Sequence, residues 1–337
     1  MTNALMEYIN ITGTELSASR IGLGTWAIGG WMWGGTDEET SILTIHKALE
    51  RGINLIDTAP VYGHGRSEEI VGKAIERYGR RKEVIIATKV GLDWSGKKIV
   101  RNSTRERIFK EIADSLQRLR TDVIDIYQVH WPDLLVPIEE TAGAMNQLYR
   151  QGKIRAIGVS NYSPEQMSVF RQAAPLHVAQ PPYNLFERQI EQEILPYARA
   201  HHLTMLTYGA LCRGLLTGRM KHDTQFTGDD LRKIDPKFQQ PRYAQFLEAV
   251  AQLDRFTRGR FKKGVMALAV RWLLDQPGVG IALWGARRPD QVDAVDEVMG
   301  WTIDNTSRTT IDQILQDTIK EPIGPEFMSP PSRDTGA

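Results

Sequence analysis

The chain is expected to fold as a closed α/β barrel of the (β/α)8, or TIM, type. Three observations predict it. Short apolar runs alternate with longer amphipathic stretches, and the alternation repeats eight times. The eight units cover roughly 280 residues, close to the ~250 that such a barrel takes before insertions. No linker-like stretch divides the middle of the chain, as a doubly wound sheet of two halves would require.

The elements follow in order. Residues 6–19 read as two short strands around Gly13, an N-terminal β-hairpin. Residues 20–25 form the first barrel strand, and a glycine–tryptophan loop over 29–35 leads to a helix over 37–51. The second strand, 53–57, is apolar at Ile53, Leu55 and Ile56, turns polar at Asp57 and is broken at Pro60. Tyr62 follows in a glycine-bearing loop; Ser67 is read as the N-cap of a helix over 67–78, with Glu68 and Glu69 in its first turn. Further strands are expected at 84–89, 123–129, 154–159, 177–180, 203–207 and 279–283. The helices between and after them are expected at 104–120, 138–151, 164–173, 189–201, 241–257, 265–275 and 289–299. The polar stretch 221–241 makes a long loop after strand seven. Residues 1–320 are read as one domain, and the proline-bearing 321–337 as a loose tail.

Composition narrows the function. Hydrophobic residues at 41% and charged residues at 25% are an ordinary globular balance. A net charge of +1 with no basic block offers no nucleic-acid face. No run approaches the ~20 apolar residues of a membrane span, and the N-terminus lacks a signal pattern. One cysteine, Cys212, allows no internal disulfide, which fits a reducing compartment and a cytoplasmic location. With scattered histidines and one cysteine, no metal is expected.

Four residues carry the chemistry. Asp57 ends strand two, Tyr62 lies in its loop, Lys89 ends strand three and His130 ends strand four, so a barrel gathers all four on one rim. A strand end often carries a polar residue merely because it leaves the core. Three successive ends bearing an acid, an ammonium and an imidazole, plus a phenol, are harder to explain that way. An ammonium beside the phenol lowers its pKa and makes it a proton donor; Asp57 holds the ammonium in place; His130 orients a substrate oxygen. The set lacks a nucleophile, a metal cage and an electron source, so reduction needs a hydride from a cofactor.

The stretch D-T-A-P-V-Y-G-x-G-x-S-E-E, the T-K ending strand three, the H-W-P after strand four and G-V-S-N at 158–161 together resemble the aldo-keto reductase superfamily, in order from about residue 6 to about 300. The resemblance implies a TIM barrel using NADPH, sometimes NADH, with Asp57, Tyr62, Lys89 and His130 as catalytic tetrad and Tyr62 as general acid/base. Ser160, Asn161 and Gln180 then resemble the residues that hold the nicotinamide carboxamide, although Asn161 and Ser163 can equally start a helix at Pro164. Tyr208 resembles the aromatic stacked on the nicotinamide ring, and Trp26 joins it as a cofactor contact. Gly209, Leu211, Arg213 and Gly214 lie in what resembles the pyrophosphate loop, where Gly209-Ala210 stands in place of a common Ser-Pro. Gly285, Arg287 or Arg288, and Gln291 resemble the adenosine-phosphate segment, with Val295 where an asparagine is usual. Two arginines favour NADP over NAD. Trp31 and Trp131 are expected to wall the substrate site.

Two signals lead nowhere. Residues 22–27 match a loose G-x-G-x-x-A fingerprint, but no helix follows. His201 and His202 are adjacent and cannot share a helix face as ligands. The expected activity is reversible carbonyl reduction, closest to the bacterial branch acting on small aldehydes and polyols such as glyceraldehyde and glycerol. A cofactor-binding regulatory or channel-associated subunit and a Schiff-base lyase or hydrolase using Lys89 are the rivals. Oligomeric state is left open.

Overall fold

Every second residue of a strand faces the inside when a sheet closes, so short apolar strands build two cores at once. The computed structural model describes residues 6–96 and 98–333. A hairpin of β1 (Tyr8–Asn10) and β2 (Ser17–Ser19) precedes the barrel strands β3 (Ile21–Gly24), β4 (Leu55–Asp57) and β5 (Ile85–Val90). A second hairpin, β6 (Leu92–Ser95) and β7 (Lys98–Arg101), interrupts them. The barrel resumes with β8 (Ile124–Val129), β9 (Ile154–Ser160), β10 (Val178–Gln180), β11 (Thr204–Thr207) and β12 (Val279–Gly285). The eight barrel strands are parallel, and β10 pairing with both β9 and β11 closes the ring. The (β/α)8 barrel expected from the alternation is therefore the fold.

Leu55, Ile85, Ala87, Ile126, Val178 and Ile281 fill the interior, and Ile11, Leu16 and Ala18 of the first hairpin plug its N-terminal end. The outer faces of the strands pack against α1 (Glu38–Glu50), α2 (Arg66–Tyr78), α3 (Arg105–Leu119), α4 (Ile138–Arg150), α5 (Pro164–Ala173), α6 (Ile194–Ala200), α7 (Arg242–Phe261), α8 (Val265–Leu274) and α9 (Asn305–Thr318). With one end plugged, chemistry is left to the C-terminal mouth.

Several expectations change. Residues 289–299 form two 3-10 turns, Pro289–Gln291 and Asp293–Glu297, because the Gln291 side chain accepts the N–H groups of Arg287 and Arg288 and bends the segment back. The last helix is instead α9, capped by Asp304. Ser67 is not a cap: Gly65, left-handed at φ 97°, stands before α2. The Ser67 hydroxyl accepts from Thr58 and donates toward Thr25, tying two strand ends together. Glu68 is buried, held by Thr88 at 2.6 Å and Arg118 at 2.7 Å.

The long loop after β11 crosses the mouth. Its Asp229 carboxylate accepts the N–H groups of Met32 at 2.8 Å and Gly34 at 3.2 Å. The expected loose tail is also seated there. Arg101 donates from its backbone to the Pro331 carbonyl at 3.0 Å and from Nε to the Pro330 carbonyl at 2.8 Å, and Arg333 pairs with Asp133. The segment holds a 3-10 turn, Glu326–Met328, and is packed in place. Residues 334–337 lie outside the described residues.

Candidate active site

The ends of β4, β5 and β8 bring the four predicted residues together. Lys89 Nζ donates to Asp57 Oδ1 at 2.6 Å, to the Thr58 carbonyl at 2.9 Å and to Tyr62 Oη at 3.3 Å. At that separation no water stands between the ammonium and the phenol. Lys89 and Asp57 are buried, a placement tolerable only with full hydrogen bonding. Asp57 Oδ2 has it, accepting from Gln180 Nε2 at 2.8 Å and Gln128 Nε2 at 3.3 Å. The Tyr62 loop sits hard on the tryptophan loop: a Cβ on Gly63 would stand 2.2 Å from the Gly29 carbonyl oxygen, so only glycine lets the two backbones meet. Trp26 stacks on the Tyr62 ring at 5.8 Å, and the His130 ring meets it edge-on at 5.8 Å.

The electrostatics differ from expectation at one point. Burial holds the Tyr62 hydroxyl well above the usual phenol range, and the Asp57 charge adds to the effect. The lowering expected from Lys89 does not prevail. Burial pulls the Lys89 ammonium down, and its charge is shared with Asp57. Tyr62 thus keeps its proton, the form a donor needs. Burial, then the Lys89 charge, pulls His130 well below the imidazole range, leaving it neutral.

Two cavities meet at this cluster. One of about 240 Å³ runs past Gly209, Leu211 and Gly214 to Gly285, Arg287 and Gln291. The other, about 270 Å³, is lined by Trp31, His130, Trp131, Ser160, Asn161 and Gln180. Trp26, Tyr62, Tyr208 and Met328 border both. Trp31 and Trp131 both wall the second space. Asn161, left-handed at φ 62°, is no helix cap; Ser163 is, with a capping box to Gln166. Asn161 donates to the His130 carbonyl at 3.0 Å and accepts from the Tyr208 hydroxyl at 2.9 Å. The Ser160 hydroxyl donates to the Gln180 carbonyl at 2.8 Å.

The first cavity reaches from Tyr62 at one end to Gly285, Arg287 and Gln291 at the other. A Cβ on Gly285 would meet nothing within 4 Å, so neither packing nor a positive φ demands glycine there. Arg287 Nη1 donates to the Trp33 carbonyl at 2.6 Å and, among the described residues, has no carboxylate in ion-pair reach. Arg288 pairs with Asp290 at 3.0 Å and lines an adjoining cavity of about 300 Å³ with Arg219. Arg213 departs from its expected role as a phosphate neighbour. It lines the first cavity, yet its buried guanidinium is committed to Glu187 and Asp235. Burial and the Glu187 charge push the Cys212 thiol up to about 12, which suits a spacer rather than a redox group.

Sequence reasoning missed Gln128, although a polar residue two before His130 shares its strand face. It also missed Leu92 and Ile99 of the second hairpin, and Phe327, Pro330 and Pro331 of the C-terminal segment, all on the second cavity. These carry no local signal, because their place depends on distant anchors such as Arg101.

The aldo/keto reductase family pattern matches residues 20–316. Aldo-keto reductase YhdN of Bacillus subtilis is 61% identical over 329 residues, covering 98% of this chain and 99% of that protein. The NADH-specific methylglyoxal reductase of Escherichia coli is 37% identical over 302 residues, covering 85% of this chain and 91% of that protein. The structure of the glycerol dehydrogenase AKR11B4 from Gluconobacter oxydans matches with a TM-score of 0.87 at 52% identity, covering 98% of this chain and 100% of that one.

Proposed function

Because the chain belongs to the aldo/keto reductase family and is an oxidoreductase, we propose that it reduces small, uncharged aldehydes and ketones to alcohols with NADPH, reversibly on polyols such as glycerol. The contact that carries this reading is Lys89 Nζ to Tyr62 Oη at 3.3 Å, on the border of both cavities. Tyr62 gives its proton to the carbonyl oxygen, and Lys89, tethered by Asp57, stabilises the phenolate left behind. His130 steers that oxygen with its one ring N–H. A reduced nicotinamide seated where the two cavities meet, beside Tyr62, would supply the hydride.

Ser160, Asn161 and Gln180 would hold its carboxamide, and Tyr208 with Trp26 its ring. Gly209, Leu211 and Gly214 would approach the phosphates, with Arg213 shaping the loop through Glu187 and Asp235. Gly285, Arg287, Arg288 and Gln291 would take the adenosine end. With no carboxylate in ion-pair reach among the described residues, Arg287 supports a 2′-phosphate and hence NADP over NAD. The second cavity supports a small neutral substrate, since aromatic and aliphatic side chains dominate its walls and, among the described residues, no lysine or arginine lines it. A panel of aldehydes and polyols followed at 340 nm with both cofactors tests this. Steady turnover of glyceraldehyde with NADPH is expected; no turnover of any carbonyl would defeat it.

A further inference from the structure

One buried side chain beside the four has no part in the reaction above. Gln128 enters the barrel from β8 and is fully buried. Its Nε2 lies 3.3 Å from Asp57 Oδ2, and its Oε1 lies 3.2 Å from Gln180 Nε2. An ionised carboxylate only accepts hydrogen bonds, so it turns both amide NH2 groups toward itself and settles which way each amide points. Gln180 Nε2 then has both protons engaged, one on Asp57 and one on Gln128. Only its carbonyl oxygen remains for the cavity that Gln180 lines. The strand beside Gln128 makes room for it. Gly158 is its register partner, and a Cβ there would stand 2.7 Å from Gln128 Cγ. Glycine in a strand interior weakens the strand and often marks a close approach.

We propose that Gln128 is a positioning residue that locks Asp57 and Gln180 into one hydrogen-bonded unit, so that the Lys89 tether and the Gln180 carbonyl are set together. The inference rests on the reductase reading above. The titratable groups facing Gln128 are Asp57 from β4 and Lys89, its register partner on β5; β9 and β10 present Gly158, Val178 and Gln180, all neutral.

The test compares Gln128→Met, which keeps length and loses both hydrogen bonds, with Gln128→Glu, which sets a second carboxylate against Asp57. Folding is checked by thermal melting. Gln128→Met should lose on the order of tenfold in kcat, the size of one buried charge-assisted hydrogen bond. NADPH binding, read by tryptophan quenching without turnover, should weaken several-fold. Gln128→Glu should lose more at neutral pH and recover as the pH falls, because the introduced carboxyl, once protonated, donates to Asp57 as the amide does. A residue that only fills space would show no acid recovery. Wild-type-like kcat and binding, within twofold, in both variants would overturn the proposal, as would a Gln128→Glu loss that ignores pH. A wild-type protein that reduces no carbonyl breaks the functional reading instead, while the quenching arm still judges Gln128.

Discussion

Two buried ionic clusters sit within the same barrel mouth, and they do opposite things. Lys89 and Asp57 form one pair whose ammonium has a further contact, the Tyr62 hydroxyl, which opens onto both cavities. Glu187, Arg213, Asp235 and Lys237 form a second set, two cations on two carboxylates, closed on itself. Lys237 also donates to the Gly324 carbonyl at 2.9 Å, so this set ties the loops after β10 and β11 to the C-terminal segment. A buried charge with a polar neighbour facing empty space is poised for chemistry; one whose partners are all protein holds the fold.

The largest separation of the two is expected from Tyr62→Phe. Removing the proton donor should lower kcat by about 10³-fold, within the usual range for acid–base groups, and leave NADPH quenching and thermal stability near wild type. Near-normal turnover would remove Tyr62 from the acid role. The closed cluster should respond in the opposite way. Lys237→Met leaves Glu187 one cation short and should cost about 3 kcal/mol of stability in urea unfolding, the scale for breaking a buried pair. Unchanged stability would mean Arg213 alone balances both carboxylates.

Cofactor preference is the next effect down. Arg287→Ala combined with Arg288→Ala should weaken NADPH by about 100-fold and NADH by less than about fivefold, since only one cofactor carries the phosphate a guanidinium grips. Equal losses for both would end the argument for NADP.

The same contrast explains what could be read in advance. Asp57, Lys89 and His130 were legible because each is the polar end of a short apolar run, a signal confined to a few residues. Gln128 was legible in principle from its spacing to His130, but a single polar residue inside a strand is easily passed over. Arg213 was visible as a cation in a glycine loop, yet its role lies with Asp235 and Glu187, 22 and 26 residues away in sequence. The C-terminal wall depends on Arg101 reaching Pro330 across 229 residues. Strand periodicity says nothing about contacts of that span, and proline-rich composition points toward disorder until the anchor is known.

The smallest effect tests the state of His130. Burial and Lys89 depress its folded pKa, while the unfolded chain keeps the ordinary value near ~6.5. Above that pH neither state holds the proton, and stability is fully present. As the pH falls below it, the unfolded chain takes a proton that the folded imidazole refuses, and stability is lost. By pH 5.5 the loss reaches up to about 1.4 kcal/mol. His130→Gln, neutral throughout, should escape that share, so its drop between pH 7.5 and 5.5 in urea unfolding should be smaller by up to the same amount. His177, also depressed by burial, titrates alike in both proteins and cancels. An identical drop would mean that the folded imidazole takes up its proton over the same pH range as the unfolded one. A neutral ring keeps one donor for a carbonyl oxygen without setting a second positive charge beside Lys89, which is how phenol, ammonium and imidazole can share one rim.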